Sequence, residues 1–301
     1  MQLQSLRLFV AVADSGSFSA AAKQMHTVQS NVTAHIKKLE TELGVVLFVR
    51  QGHIHLSPAG RALMTHAQRT LSAHDNALAA FQQPENPRGV LRIGSMESTA
   101  AVRLPGLLAA YHEKYPRIDL RLTTGTTTDI VARLLDGTLD CGFIAGPVSH
   151  SRLYGVEAFH ESLVLVAGEP LATIPSTDSL MDTPFLAFRQ GCHYRHCVER
   201  LLARQGVAGG RIFEFGSIDG ILGCVAAGMG YALLPKTVVE AHQSRFAIHT
   251  LDLPADIGDV VTRFVATATV GWSPALVSFE QLVLSAQRST TYDERPADAM
   301  M

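Results

Sequence analysis

Charge is sparse in this chain: 17% of its 301 residues are Asp, Glu, Lys or Arg, while 47% are hydrophobic. That balance excludes disorder as the main state, because it buries enough apolar surface to offset chain entropy. Cysteine is scarcer still, with four residues, at 141, 192, 197 and 224. Four are too few for a disulfide scaffold and suit a reducing compartment. No uncharged apolar run reaches the roughly 18 residues that cross a bilayer. The opening residues also lack the basic, apolar and small-residue succession of a secretory leader, so a cytoplasmic protein with no membrane partner is expected. Absent too are a Gly-rich phosphate loop, a nucleophile elbow, and a helix carrying two histidines and an acid. Glu97 is the one acid placed for proton transfer in a cleft, so no enzyme, no cofactor and no resident metal are expected.

What is present divides unevenly along the chain. Residues 1–89 hold eight Lys/Arg and five acids, a net +3, whereas the remainder holds seventeen and twenty-two, a net −5. Six of the thirteen histidines also fall in the first segment. That end is the candidate for meeting a polyanion.

The first segment has a definite pattern. Leu3, Leu6, Phe9, Val10 and Ala13 recur at helical spacing and stop at Gly16, which predicts a helix over 3–15. Ser19 is placed to cap a second helix through Ala20, Ala21, Ala22 and Met25. Thr27 is placed to cap a third, whose Val28, Val32, Ile36, Leu39 and Leu43 form one apolar stripe ending at Gly44. Three short helices with so tight a turn predict a helix-turn-helix. On the solvent face of the third helix, Gln29, Ser30, Thr33 and Ala34 carry short or amide side chains able to meet base edges in a major groove, with Asn31 as a further DNA-binding candidate. Lys37 and Lys38 follow, placed for phosphate. Residues 45–56 alternate around Gln51-Gly52 as a hairpin would, a wing that puts Arg50 and His53 near the DNA backbone. A helical bundle with an ordinary polar exterior remains the alternative on these facts.

The run from Leu6 to Ala22, continued by Val28 to Thr33 and Ile36 to Gly44, closely resembles LysR-type transcriptional regulators. Leu47-Phe48-Val49-Arg50 and Leu56-Ser57-Pro58-Ala59-Gly60 match the same family in unbroken register. The resemblance implies a winged helix-turn-helix over 1–60 that binds double-stranded DNA. It also implies that Gln29, Ser30 and Thr33 face bases while Arg50 holds the backbone. Ala34 stands where the family often has a basic residue, which removes that contact and shifts the expected operator preference.

Ser57 and Pro58 open a further helix, and Leu63, Ala67, Leu71, His74, Leu78 and Phe81 run along it as one seam. A single seam demands a partner. Residues 58–88, ending in Pro84, Glu85 and Pro87, are similar to the linker helix through which LysR-type proteins dimerise. The family's habit of pairing dimers implies a homodimer assembled into a homotetramer.

From Gly89 onward strands and helices alternate, which predicts a parallel, doubly wound α/β sheet. Strands are expected at 90–94, 118–124, 141–144, 163–167, 185–188, 212–215, 231–235 and 260–268. Helices are expected at 101–114, 128–136 and 193–205, and from 218 and 274. The resemblance extends through Gly94, Gly137 to Asp140 and Ala226 to Pro235. It implies an effector domain of periplasmic-binding-protein-like fold over 89–286, with one subdomain at about 89–160 and 266–286 and the other at about 161–265. Residues 287–301 read as a flexible tail.

Ligands of such sheets sit beyond the carboxyl ends of strands. The segments reaching that edge are Ser95, Met96, Glu97 and Ser98; Thr126 and Thr127; Gly146; Arg189, Cys192 and Tyr194; and Ser217 and Ile218. Hydroxyls and helix starts favour a small organic anion or an amino acid over a neutral aromatic. Within Cys192-His193-Tyr194-Arg195-His196-Cys197 the ligating side chains fall on two diverging helix faces, which suits one tetrahedral metal poorly. A peroxide-sensing pair of thiols is the alternative, since Arg195 or a helix start can lower a thiol pKa. The reading preferred is that Cys192 lines the effector cleft, Cys197 packs inside, and Cys141 and Cys224 are inert core residues. The sequence thus points to a LysR-type, effector-modulated regulator of transcription, with a redox-responsive regulator of the same family as the alternative.

Overall fold

A computed structural model describes residues 1–49, 53–79, 81, 86–268 and 271–293. The chain divides into two compact units: Met1–Phe81 with the turn Asp136–Thr138, and Gln82–Leu135 with Leu139–Met301.

The first unit is built from α1 (Leu3–Ser15), α2 (Phe18–Gln24) and α3 (Gln29–Leu43), then the hairpin β1 (Phe48–Val49) and β2 (His55–Leu56), then α4 (Pro58–Ala79). Its core is the set that helical spacing singles out: Leu6, Phe9 and Val12 from α1 meet Val32, Ile36 and Leu39 from α3. Phe48 of the wing joins them, 5.3 Å from the Phe9 ring and 5.8 Å from the Phe18 ring. Gly16 and Gly44 end α1 and α3 in left-handed conformations. The caps of the other two starts differ from expectation. Ser17, not Ser19, accepts from Ala20 N–H, because the extended residue before Phe18 is the one whose side chain faces the open first turn. Val28 occupies the cap of α3 without a side-chain bond, and the Thr27 hydroxyl instead accepts from Asn31 Nδ2 at 2.9 Å. Ser57 caps α4 as expected, accepting from Gly60 N–H at 2.9 Å. The α4 seam is split: Ala67 and Leu71 are buried in this unit, whereas Leu78 is 57% and Phe81 92% exposed.

The second unit runs β3 (Gly89–Ser95), α5 (Glu97–Val102), α6 (Leu104–Lys114), β4 (Ile118–Thr124), α7 (Thr127–Leu135), β5 (Cys141–Ala145) and β6 (Leu153–Ala167). It continues with α8 (Thr177–Asp182), β7 (Phe185–Phe188), α9 (His193–Arg204), β8 (Ile212–Phe215), α10 (Ile218–Ala226) and β9 (Ala232–Pro235). The last elements are α11 (Lys236–His242), β10 (His249–Asp252), α12 (Ala255–Gly258), β11 (Asp259–Thr267) and α13 (Pro274–Asp293).

The sheet is mixed rather than parallel throughout. Strand β3 lies between β4 and β5 and is parallel to both, but β11 is antiparallel to β5 and to β6. The reason is β6, a 15-residue strand of which periodicity predicts only the second half. Its first half pairs with β11, and its second half pairs with β9 and β10, all antiparallel. It therefore crosses from one half of the unit to the other, and β11 returns. Within β11, Thr262–Ala266 pair with β5 and so join the sheet of the first half, while Asp259–Val261 pair with β6 alone. The helix expected over 101–114 is broken at Arg103, because Pro105 has no N–H to continue the ladder and fits instead the first turn of a new helix that begins at Leu104. At the other end α13 continues to Asp293, so the segment 287–293 expected to fray is helical. Cys141 and Cys197 are fully buried, but Cys224 is only half-buried.

Candidate functional site

In the first unit the candidate site is the solvent face of α3. Gln29, Ser30, Thr33, Ala34 and Lys37 line one shallow, open concavity. Successive residues of a helix turn by about 100°, so these positions share a face while Val32, Ile36 and Leu39 turn inward. The Thr33 hydroxyl donates back to the Gln29 carbonyl at 2.9 Å, leaving its methyl outward, and Gln29 Oε1 accepts from Ser19 at 2.8 Å. Gln29 is thus steered by the neighbouring helix before any partner arrives. Asn31 and Lys38 are exposed but lie off this face. His53 is exposed in the wing, whereas Arg50 lies outside the described residues. Glu40 accepts from Leu47 N–H at 2.8 Å and so ties α3 to the chain entering the wing.

In the second unit a cavity of about 240 Å³ lies at the carboxyl ends of parallel strands from both halves. From the first half, Met96, Glu97 and Ser98 follow β3, while Thr124, Gly125 and Thr126 close β4. From the second half, Phe188, Arg189, Cys192 and Tyr194 follow β7, and Phe215 and Gly216 close β8. Strand direction explains the convergence: a parallel strand brings each chain to the same edge, where the next helix begins.

Glu97 accepts from Ile218 N–H at 3.0 Å, so a carboxylate of the first half is held at the start of α10 in the second. Burial pushes its carboxyl above the usual range, a shift that the Ile218 bond opposes and nearby Asp219 reinforces. The Ser98 hydroxyl lies 3.4 Å from the Tyr194 hydroxyl, another link across the halves. Burial pushes the Tyr194 phenol well up. Arg189 pairs with Asp129 of α7. Asp129 and Thr126 exchange the bonds of a capping box: Thr126 N–H donates to the carboxylate at 3.0 Å and Asp129 N–H to the hydroxyl at 3.2 Å. Burial opposes ionisation of Asp129, yet these bonds and Arg189 together hold its carboxyl below the usual range.

Five expected residues stand outside the lining. Ser95 is fully buried and donates to the Met96 carbonyl; Thr127 turns its hydroxyl toward Met96 Sδ at 3.8 Å. Ser217 caps α10 through Gly220 N–H, and Ile218 serves through its N–H to Glu97 rather than its side chain. Gly146, at φ +86°, packs under His193, whose ring would lie 2.6 Å from any Cβ there. Sequence reasoning missed Thr124, Gly125, Phe188, Phe215 and Gly216. The signal is present, since each ends or follows a strand that periodicity locates.

Burial raises the Cys192 thiol despite N–H bonds from Tyr194 and Arg195, and pushes Cys197 up to about 11. No group of three or more His, Cys, Asp or Glu able to hold a metal occurs among the described residues. His193 is kept below its usual range by burial, and neighbouring His196 bonds Glu199 at 3.0 Å. No helix among the described residues is long and apolar enough to cross a membrane.

Two family models match these two units: a bacterial regulatory helix-turn-helix protein of the lysR family over residues 3–61, and a LysR substrate binding domain over residues 84–287. This chain belongs to the LysR family of transcriptional regulators. The LysR-type regulator is 39% identical to the uncharacterised HTH-type regulator YusT of Bacillus subtilis (strain 168), covering 93% of this chain and 94% of that one. It is 37% identical to the regulator GltR of the same strain, covering 93% and 95%. Among solved structures, full-length CbnR in complex with its target DNA is 25% identical, with 95% of this chain and 100% of that chain covered and a TM-score of 0.67. The family consists of DNA-binding regulators with an effector-binding domain, not of enzymes.

Proposed function

We propose that this LysR-type regulator is switched by a small organic anion or amino acid seated in the 240 Å³ cavity, which alters how its winged helices engage operator DNA. The observation that carries the reading is the convergence of Glu97, Ser98, Thr126, Arg189 and Tyr194, from both halves, on one cavity. Its size lies below the roughly 300–1,000 Å³ of drug-sized pockets, which suits a metabolite of few atoms. A ligand bridging the halves stabilises one disposition of them over others, which is the requirement for a switch.

On the DNA side, Gln29, Ser30 and Thr33 read base edges, and Lys37 neutralises phosphate; the bound CbnR complex supports this use of the unit. Arg50 and His53 are assigned to the backbone, with Asn31 and Lys38 as flanking contacts. Leu78 and Phe81, bare at the end of α4, are assigned to a second copy of the chain, giving a dimer and, by pairing of dimers, a tetramer. DNA as partner puts the site of action in the cytoplasm. The redox alternative is disfavoured because both candidate thiols are buried and that burial disfavours the thiolate of each.

A melting screen of organic acids and amino acids tests the switch. A ligand at 100 times its Kd stabilises the native state by about 2.7 kcal/mol, and footprinting with that ligand should show an altered operator pattern. Peroxide-dependent DNA binding that disappears in a Cys192→Ser, Cys197→Ser double variant would replace the reading with a thiol switch.

A further inference from the structure

The cavity carries two unlike charges, each anchored to a different helix start. Glu97 is held at α10 through the Ile218 N–H, and among the described residues it has no cationic partner. Arg189, from the opposite half, reaches the start of α7 through Asp129. Beside them the cavity offers the Ser98 and Thr126 hydroxyls and an apolar surface made by Met96, Phe188 and Phe215.

A half-buried carboxylate bonded only by the Ile218 N–H has no counter-charge among the described residues, and Asp219 nearby, though itself paired with Arg245 at 3.1 Å, adds to that demand. Arg189 is differently placed. Its pair with Asp129 is solvent-exposed, with side-chain exposures of 62% and 43%, and such pairs are held weakly. A guanidinium also has five N–H donors, so it can turn a pair of them to a second carboxylate.

Each simpler ligand leaves one of these groups mismatched. A monocarboxylate or dicarboxylate satisfies Arg189 but sets its charge or its apolar body against Glu97. An amine satisfies Glu97 and leaves the guanidinium unmatched; a neutral aromatic desolvates both. We infer that the ligand of this cavity is a zwitterion, an α-amino acid whose ammonium group pairs with Glu97 and whose carboxylate is taken by Arg189, with its side chain against Met96, Phe188 and Phe215. The inference rests on the cavity being the effector site, and it narrows that site's ligand to one chemical class.

The experiment is a calorimetric and melting titration of the full-length protein with the twenty proteinogenic L-amino acids. For each that binds, its deaminated carboxylate and its decarboxylated amine are titrated as well. At least one amino acid should bind at least about tenfold more tightly than either truncated analogue. Glu97→Gln keeps the shape and the acceptor for Ile218 N–H but removes the charge. It should lose about tenfold or more in affinity for the amino acid and nothing for the deaminated acid, and binding of that acid also reports that the variant is folded. Glu97→Asp should retain the preference for the ammonium form at reduced affinity. If deaminated acids bind as well as amino acids, or Glu97→Gln leaves amino-acid affinity unchanged, the zwitterion is wrong while the effector cavity stands. The zwitterion is equally wrong, and the cavity equally intact, if no amino acid binds but another organic acid does. If nothing in either panel binds, both readings fall together.

Discussion

The two candidate sites of this regulator are constructed in opposite ways. The candidate DNA-facing surface is drawn from five residues within nine positions of one helix, Gln29 to Lys37. The effector cavity is drawn from residues as distant as Met96 and Gly216, on four strand ends and in two subdomains. The first needs only a helix and a core beneath it; the second needs two sheets, since β3 and β4 belong to the seven-stranded sheet and β7 and β8 form a separate parallel pair. The recognition surface should therefore tolerate large changes in the effector unit, and the cavity should register any loosening between the subdomains.

The largest expected effect comes from Phe9→Ala, which removes one of the two rings packed on Phe48 and should cost about 3–5 kcal/mol. Scanning calorimetry should show the transition of the winged helix lowered and that of the effector unit unmoved. A shift of both transitions would break the comparison, because it would mean that the units melt as one.

Glu161→Ala is the counterpart in the second unit. Glu161, in the middle of β6 and 5% exposed, receives Arg103 at 2.8 and 3.0 Å and the Thr237 hydroxyl at 3.3 Å, so it joins the start of α6 to α11. Removing one partner of a buried pair costs several kcal/mol; with Arg103 a quarter exposed, about 3 kcal/mol is expected. Ligand-induced stabilisation should fall with it while operator affinity without ligand holds. Loss of both together would show that β6 supports more than the cavity.

Gln29→Ala should cost about 1–3 kcal/mol per half-site and relax base choice at one operator position, leaving the salt dependence of binding alone. Lys37→Ala should do the reverse, weakening all sequences alike and flattening the salt slope by about one. Titrations at several salt concentrations separate the two, and identical profiles would remove the division between base and phosphate contacts on α3.

The smallest effect is expected from Ser217→Ala, which removes the cap of α10 at a cost of about 1 kcal/mol. Because α10 presents Ile218 N–H to Glu97, amino-acid binding should weaken measurably even though Ser217 does not line the cavity. An unchanged affinity would mean that Glu97 holds its place without α10.

Much of this is legible in the sequence because it is local. The middle of the stripe, Val32, Ile36 and Leu39, already says which face of α3 is left for Gln29 and Lys37, although its expected ends Val28 and Leu43 are exposed, and Gly44 says where the helix stops. Strand positions in the effector unit are equally readable, and seven of its expected residues line the cavity: Met96, Glu97, Ser98, Thr126, Arg189, Cys192 and Tyr194. The caps of α2 and α3 are misplaced because Ser17 and Ser19, or Thr27 and Val28, are told apart by backbone conformation, which composition does not display.

Composition and periodicity by themselves thus determined the two-unit plan, the exposed face of α3 and the identity of most side chains that line the cavity. Tertiary structure alone decided that β6 runs unbroken through both subdomains, since its alternating first half carries no mark of the partner, β11, that lies about a hundred residues later. It alone decided that Ser217 and Ile218 hold Glu97 instead of facing the cavity. Hydrogen bonds inside a helix depend on neighbours four residues apart, which a sequence displays. The pairing of Glu97 with Ile218 depends on the closure of a long loop, which only the assembled sheet enforces.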